Sequence, residues 1–191
     1  MNTPYAAAAE HSRRAASARL FLALWPNDDE RAALAKFCAD AEWPPGCSPV
    51  RSERLHLTLH FIGALERSRL SEVSAGLGLV FSPFRIDFSP AELWPRGLLV
   101  LPAKALPAEL VRLHTLLADA LYRLRLPVEK RRFRPHVTLA RRAPAVILAK
   151  EAAPMDWQIN DYALVESLLG SAGGYRIVRR YAARLAATGD G

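Results

Sequence analysis

The chain has 191 residues, of which 51% are hydrophobic and 24% charged, and lysine and arginine outnumber the acidic residues by 26 to 19. This composition excludes a disordered or fibrous chain, and the length allows one sizeable hydrophobic core. The formal net charge of +7 suits an anionic partner such as RNA, although an arginine-rich composition alone would also produce it.

The first 17 residues predict a disordered, alanine-rich leader, and residues 18–191 predict a single domain. Ser12-Arg13-Arg14 resembles the start of a twin-arginine export signal. Arg19 interrupts the apolar stretch that follows, however, and no small-x-small cleavage site comes after it. We therefore expect a protein that stays in the cytoplasm.

Cysteine usage and hydropathy agree with that location. Cys38 and Cys47 do not form a Cys-x-x-Cys pair, so neither a structural zinc site nor a disulfide framework is indicated. No apolar run in the sequence approaches the ~20 residues that a membrane span needs. We expect no interaction with a membrane.

Hydrophobic periodicity and turn residues predict seven strands and three helices. The strands cover about 19–25, 55–62, 84–94, 98–101, 136–140, 157–169 and 175–185, and the helices about 26–41, 69–80 and 108–126. The first strand is apolar almost throughout and should be buried on both faces, and Gly63 should end the second. The strands over 84–94 and 98–101 should pair. Strands and helices alternate before a strand-rich tail, which predicts an α+β domain with a mostly antiparallel sheet.

Two segments of the chain share one motif. The first reads Arg54-Leu-His56-Leu-Thr58-Leu-His60-Phe-Ile-Gly63, and the second reads Phe133-Arg-Pro-His136-Val-Thr138-Leu-Ala-Arg141. Side chains two residues apart on a strand share a face, so each histidine projects on the same side as its threonine. If the two strands are neighbours, two imidazoles and two hydroxyls line a common cleft.

These groups suit the opening of a 2′,3′-cyclic phosphate. One imidazole can take a proton from water while the other protonates the departing ribose oxygen, because the ordinary pKa of histidine is about 6.5. The hydroxyls of Thr58 and Thr138 can donate to the non-bridging oxygens. Arg141 could bind the phosphate bidentately, but strict alternation places it on the leucine face, so we rank it below the histidines.

A single histidine on a strand is more often structural than catalytic, but two identical His-x-Thr-Leu contexts favour function. His60 is predicted to share the face of His56. Four residues of strand span roughly 13 Å, too far for the two to hold one metal ion. We therefore expect His60 to be peripheral, His11 and His114 to be incidental, and no metal site.

The basic run Lys130-Arg131-Arg132-Phe133-Arg134 precedes the second motif. It is either a solvated loop or a clamp on RNA phosphates, in which the candidate RNA-binding residues are Arg131, Arg132, Phe133 and Arg134. Phe133 would then either pack in the core or stack on a base. Three tryptophans are interpreted as core residues rather than base platforms: Trp25, Trp94 and Trp157.

At these residues the chain resembles the 2H phosphoesterases, in their bacterial RNA 2′,3′-cyclic phosphodiesterase (2′-5′ RNA ligase-like) branch. The resemblance spans about residues 19–185. It rests on Arg19-Leu-Phe-Leu-Ala-Leu, on His56-Leu-Thr-Leu followed by Phe61 and Gly63, and on Phe133-x-Pro-His-Val-Thr-Leu-Ala-Arg141. One His-x-Thr would be a weak signal, but two with these flanking residues are specific.

The resemblance implies a bilobal, pseudo-two-fold α+β fold with mostly antiparallel sheets, flanking helices and a central cleft. It implies that His56 and His136 are catalytic, with His136 as the base and His56 as the acid. It also implies that Thr58 and Thr138 hold phosphate oxygens and that Arg141 matches the arginine after the second motif.

The same resemblance implies a substrate and a product. The substrate would be RNA with a 2′,3′-cyclic phosphate end, such as tRNA halves or small nucleotides, and the product a 2′-phosphate. Slow 2′-5′ RNA ligation without a nucleotide cofactor would accompany it. We expect a monomer that needs no cofactor.

Two features depart from the family pattern. His60 stands where a nonpolar or small residue is usual, and the segment from Glu92 to Leu101 lacks a late tryptophan, which leaves base preference open.

Two other functions fit the residues. One is action on another small cyclic nucleotide or ADP-ribose derivative, and the other is a non-catalytic module that binds RNA ends. Dependence on an oligonucleotide body tests the first, and turnover in chelator tests the second.

Overall fold

The computed structural model describes residues 16–143, 155–168 and 173–184. The helices within these ranges are α1 (Asp28–Ala39), α2 (Leu70–Gly76) and α3 (Ala108–Arg123). The strands are β1 (Ser17–Leu24), β2 (Ser48–Pro49), β3 (Leu57–Glu66), β4 (Phe84–Asp87), β5 (Glu92–Trp94), β6 (Leu98–Pro102), β7 (His136–Arg141), β8 (Asp156–Ile159), β9 (Asp161–Leu168) and β10 (Gly174–Ala182). Short 3-10 turns occupy Ser52–Arg54 and Arg67–Arg69.

Eight of the described strands form one sheet, in the order β10-β9-β1-β3-β7-β6-β5 with β2 added beside β7. β4 and β8 form a separate two-stranded sheet. All the strand pairs found among the described residues are antiparallel. The predicted α+β class with mostly antiparallel sheets is confirmed.

The large sheet consists of two halves that repeat one order of elements. β1, α1 and β3 form a strand-helix-strand unit in the first half, and β6, α3 and β7 form its counterpart in the second. In each unit the two strands pair with each other. The halves join where β3 meets β7 through one register pair, Leu57 opposite Val137. This repeat matches the pseudo-two-fold arrangement that the resemblance implies.

β1 is buried on both faces, as its apolar sequence predicts. Leu20, Leu22 and Leu24 enter the main hydrophobic core, and Phe21 and Ala23 belong to a smaller cluster on the opposite face. Alternation along a strand separates these two sets. The second face of β1 lies beside the first motif, because Phe21 on this face contacts the His56 imidazole.

Three predicted strand limits are wrong. β3 does not end at Gly63 but continues to Glu66, because this glycine adopts a φ of 85° at an irregularity in the register with β1. The predicted strand over 84–94 is two strands, and the first pairs with β8 rather than with β6. The predicted strand over 157–169 breaks at Asn160 into β8 and β9.

Parts of other predictions fall outside the described residues. Residues 1–15 are among them, so the leader and the role of His11 stay predictions, while β1 already begins at Ser17. The predicted strand end at 169 lies outside as well, whereas the predicted end at 185 is wrong, because β10 ends at Ala182 and the two described residues after it belong to no strand.

Candidate active site

The pair Leu57–Val137 places the two motifs against each other. Because the strands are antiparallel, the positions on either side of this pair face each other, so His56 lies opposite Thr138. By the same register Thr58 lies opposite His136. The two histidines are therefore diagonal neighbours across the strands, at roughly 7–8 Å by ordinary sheet geometry. Alternation places all four side chains on the face opposite Leu57 and Val137, which are fully buried in the core.

Each motif strand carries one extra residue directly after its threonine. On β3, Thr58 pairs with Ala23 and His60 with Leu22, so Leu59 is the unpaired residue. On β7, Thr138 pairs with Val100 and Ala140 with Leu99, so Leu139 is the unpaired residue. Such a β-bulge shifts the alternation of every residue that follows it.

The bulge at Leu139 corrects the predicted position of Arg141. Leu139 and Ala140 are both buried in the main core, so Arg141 returns to the face of His136 and Thr138 instead of joining the leucines. Its guanidinium group acts electrostatically on both motif histidines, which places its charge beside the cleft. The prediction from strict alternation of side chains along the strand is wrong for Arg141, because it does not allow for the unpaired Leu139.

The bulge at Leu59 corrects the prediction for His60 in the same way. His60 shares a register position and a face with Leu22 and is 1% exposed, so it lies in the core and not on the face of His56. Its Nε2 lies 2.9 Å from the His114 carbonyl oxygen, to which it donates. The two imidazoles stack at 4.0 Å, and His114 in turn stacks on Phe133 at 3.9 Å. The three rings form a column in which His60 is buried and His114 and Phe133 are half-buried.

Both motif histidines are oriented by the same local hydrogen bond. Nδ1 of His56 lies 2.7 Å from the carbonyl oxygen of Arg54, and Nδ1 of His136 lies 2.6 Å from that of Arg134. A carbonyl oxygen only accepts, so Nδ1 carries the proton in each ring. This leaves Nε2 of each imidazole as the nitrogen that can take up or release a proton in a reaction.

Aromatic rings enclose His56. Trp25 stacks on it with the ring planes 4° apart and the centroids at 5.2 Å. Phe21 lies at 5.0 Å, and Tyr175 of β10 meets the imidazole edge-on at 5.2 Å. These residues come from β1, β10 and the segment after β1, so the first half of the fold supplies the whole enclosure. Alternation along β1 already places Phe21 and Trp25 on one face, but no sequence signal indicates Tyr175.

Trp94 plays a related part beside His136. Its ring lies 4.7 Å from the imidazole, and the Arg134 guanidinium carbon lies 4.0 Å above its centroid. The prediction that the tryptophans are core residues is correct for Trp157, which is fully buried, and in part for Trp25, which packs against the smaller hydrophobic cluster as well as on His56. It is wrong for Trp94, which belongs to neither hydrophobic cluster. Each of Trp25 and Trp94 follows or ends a strand that aims it at a motif histidine.

Burial lowers the pKa of both motif histidines. The pKa of His56 is lowered to about 4, chiefly by burial, with Arg141 and His136 lowering it further and the hydrogen bond to Arg54 opposing them. The pKa of His136 is also lowered by burial, with Arg134 and Arg141 adding to the effect and the hydrogen bond to the Arg134 carbonyl opposing it. Without a bound anion both rings are therefore neutral at pH 7.

The residues of the basic run have different surroundings in the structure. Phe133 packs against the core and His114, and Arg134 lies over Trp94. Arg131 is paired with Glu129 at 2.7 Å. Arg132 is exposed on the wall of a groove beside Trp94. Only part of the run therefore faces the cleft.

Metal ligands and membrane spans were both predicted to be absent. Residues 16–143, 155–168 and 173–184 contain no group of three or more histidine, cysteine, aspartate or glutamate side chains placed to hold a metal ion. Among the helices in the same ranges, none is long and apolar enough to cross a membrane.

The chain is similar to known proteins over most of its length. A family model described as the 2'-5' RNA ligase superfamily matches residues 27–169. An RNA 2',3'-cyclic phosphodiesterase of Thermus thermophilus is 32% identical over 182 residues, which cover 87% of this chain and 90% of that protein. A protein of the same name from Escherichia coli is 28% identical over 152 residues, or 78% of this chain and 86% of its own.

The fold is also found among solved structures. The crystal structure of E. coli LigT complexed with 3'-AMP superposes with a TM-score of 0.77 and 24% identity, covering 87% of this chain and 98% of that chain. At that identity the likeness concerns the fold alone. The family match covers most of the chain, and the resemblance stated from the two His-x-Thr motifs is confirmed: this protein belongs to the 2'-5' RNA ligase superfamily, the 2H phosphoesterases.

Proposed function

We propose that this protein is an RNA 2′,3′-cyclic phosphodiesterase that opens the cyclic phosphate by two-histidine acid-base catalysis. The observation that carries the proposal is the antiparallel register that sets His56 opposite Thr138 and Thr58 opposite His136. This register puts both imidazoles and both threonine side chains on one face of two neighbouring strands. The relatives named RNA 2',3'-cyclic phosphodiesterase support the same activity.

In the proposed reaction His136 acts as the base and His56 as the acid. Water attacks phosphorus while Nε2 of His136 takes its proton. The bond between phosphorus and the 3′ oxygen breaks, and that oxygen receives a proton from Nε2 of His56. The products are a 2′-phosphomonoester and a free 3′-hydroxyl. Nδ1 of each ring keeps its proton throughout, because the carbonyl oxygens of Arg54 and Arg134 hold it.

The other residues would stabilise the charge on the phosphate. The hydroxyls of Thr58 and Thr138 lie on the same face as the histidines and can donate to the non-bridging oxygens. The Arg141 guanidinium can neutralise the charge that grows on these oxygens in the transition state. A bound phosphate would raise the pKa of His56, which lets this ring carry the proton that its role as acid requires.

The enclosure of His56 supports its role as acid. An imidazole whose pKa is lowered to about 4 is a strong proton donor once it is charged. A strong donor favours departure of a poor leaving group such as an alkoxide. Its protonated form is scarce in the free enzyme, so anionic substrate and proton should bind together.

The proposal is tested by incubating the protein with RNA that ends in a 2′,3′-cyclic phosphate, in the presence of a chelator. We expect a 2′-phosphomonoester product without added metal. His56→Ala and His136→Ala should each lower the rate by about 10²–10⁴, the usual scale for the loss of a general acid or base. Near-normal turnover by either variant would remove its histidine from the mechanism.

Three other outcomes would redirect the proposal. Binding of the RNA end without any turnover would indicate a non-catalytic end-binding module. Turnover limited to small cyclic nucleotides or ADP-ribose derivatives would indicate a different substrate for the same chemistry. Loss of activity in chelator would show that a metal takes part. A 5′-hydroxyl RNA offered in place of water tests for 2′-5′ ligation, which the same acid and base would catalyse.

A further inference from the structure

A groove of about 560 Å³ adjoins the second motif. Its wall includes Trp94, Lys104, Arg132, Phe133 and Arg134. Trp94 contacts the His136 imidazole from this side, so the groove begins at the catalytic cleft. None of the residues that enclose His56 lines it, and the groove therefore extends from the second half of the fold alone.

The groove is positively charged. Lys104, Arg132 and Arg134 are exposed cations on its wall, and Glu92 is the acidic residue among the lining residues. The Glu92 carboxylate accepts a hydrogen bond from the Trp94 indole N–H at 2.8 Å. One of its oxygens is thus engaged, while the three cations leave a net positive surface. A chain of phosphates is the ligand class that such a surface attracts.

The walls are held in place by the same contacts that orient His136. The Arg134 guanidinium rests on Trp94, and its carbonyl oxygen accepts from the His136 ring. The Ala103 N–H donates to the Pro135 carbonyl oxygen at 3.0 Å, so the segment that carries Lys104 is bonded to the residue before His136. Phe133 is fixed by its stack on His114. The walls of the groove are therefore fixed relative to the His136 imidazole.

We propose that this groove binds the RNA body on the 5′ side of the terminal nucleotide, with Lys104 and Arg132 contacting its phosphodiester groups. The proposal rests on the proposed function, since it supposes that the cyclic phosphate lies between His56 and His136. It assigns a role to Lys104, which lies outside both motifs and outside the basic run. It also predicts that RNA oligonucleotides are better substrates than nucleoside cyclic phosphates.

The test compares two substrates with the same terminal nucleotide: a nucleoside 2′,3′-cyclic phosphate, and a trinucleotide ending in that cyclic phosphate. Lys104→Ala and Arg132→Ala should each lower kcat/KM for the trinucleotide about tenfold more than for the nucleotide, and together about a hundredfold more. The dependence of log kcat/KM on log salt for the trinucleotide should become shallower by about 0.7 for each phosphate that the variant no longer neutralises.

Matched controls remove the same charge elsewhere. Arg85→Ala alters β4 at a residue that pairs with Asp156 and does not line the groove, and Lys36→Ala alters α1, where the lysine pairs with Asp40. Both should leave the ratio of the two kcat/KM values unchanged. Circular dichroism of each variant checks that it is folded.

The outcomes separate the two proposals. If neither substrate is opened, the proposed function fails. If both are opened but Lys104→Ala and Arg132→Ala change the two kcat/KM values equally, the groove does not bind the RNA body. The same conclusion follows if Arg85→Ala alters the ratio as strongly as Arg132→Ala, because general charge would then account for the effect.

Discussion

Leu59 and Leu139 occupy equivalent places in the two halves of the fold, each as the one unpaired residue directly after a motif threonine. Both are buried in the core. The two bulges turn the following residues over, which buries His60 and Ala140 and places Phe61 and Arg141 on the face of the cleft. The halves are thus alike in backbone but differ in charge, since one presents an aromatic ring and the other a cation.

The first prediction concerns Arg141. Arg141→Ala should lower kcat/KM by about 10²–10³, the scale for losing one group that stabilises transition-state charge. Because the guanidinium lowers the pKa of both motif histidines, its removal should raise both. NMR titration of the imidazole protons measures this second effect. Unaltered histidine pKa values in a folded Arg141→Ala variant would place the side chain away from the cleft.

Conservative replacement refines that test. Arg141→Lys keeps the charge but loses the bidentate geometry. It should therefore keep the low histidine pKa values while restoring only part of kcat/KM. Full recovery of kcat/KM by lysine would show that charge alone is needed.

The pH dependence of kcat/KM should be bell-shaped, because one histidine must be neutral and the other protonated. Burial lowers the pKa of both His56 and His136 below the ordinary 6.5, so both limbs should lie on the acid side of that value. kcat/KM should decline steadily above pH 6.5. The two apparent pKa values belong to the pair and not to single residues. A flat profile from about pH 5 to 9 would contradict the two-imidazole mechanism.

The roles of the two histidines can be separated with a substrate whose 3′ oxygen is replaced by sulfur. A thiolate departs without protonation, so the loss caused by His56→Ala should shrink from about 10²–10⁴ to under ~10-fold on this substrate. His136→Ala should remain as damaging as on the oxygen substrate, because water still needs a base. If the sulfur substrate rescued His136→Ala instead, His136 would be the acid and His56 the base.

The ring column of His60, His114 and Phe133 predicts a loss of stability in acid. Burial lowers the pKa of His114 to about 4 and lowers that of His60 as well. As the pH falls below 6.5, the unfolded chain takes up protons that the folded chain resists, so the free energy of unfolding decreases until about pH 4. For His114 we expect a contribution of about 1–2 kcal/mol, allowing for its partial exposure.

Urea denaturation at pH 7 and pH 4.5 measures this effect. His114→Phe keeps an aromatic ring between His60 and Phe133 but cannot be protonated. Its free energy of unfolding should fall less between the two pH values than that of the unmodified protein. The motif histidines contribute equally to both proteins and cancel in the comparison. An identical fall in both would show that His114 is not a source of the acid sensitivity.

Much of this protein could be predicted from local patterns in the sequence. Alternation on a strand needs only neighbouring residues, so the motif faces of His56 with Thr58 and of His136 with Thr138 follow from spacing. The helix start at Asn27 is equally local, since its side chain and that of Glu30 close a capping box within four residues. Repetition of one motif within a single chain pointed to the family.

The tertiary structure decided what depends on a second strand. A bulge exists only where two strands pair with unequal numbers of residues, so the sequence of β3 or β7 alone does not place His60 in the core or Arg141 at the cleft. The enclosure of His56 by Tyr175 and the pairing of β4 with β8 join residues far apart in the chain. Local periodicity carries no information about such partners, because register is set by packing between elements.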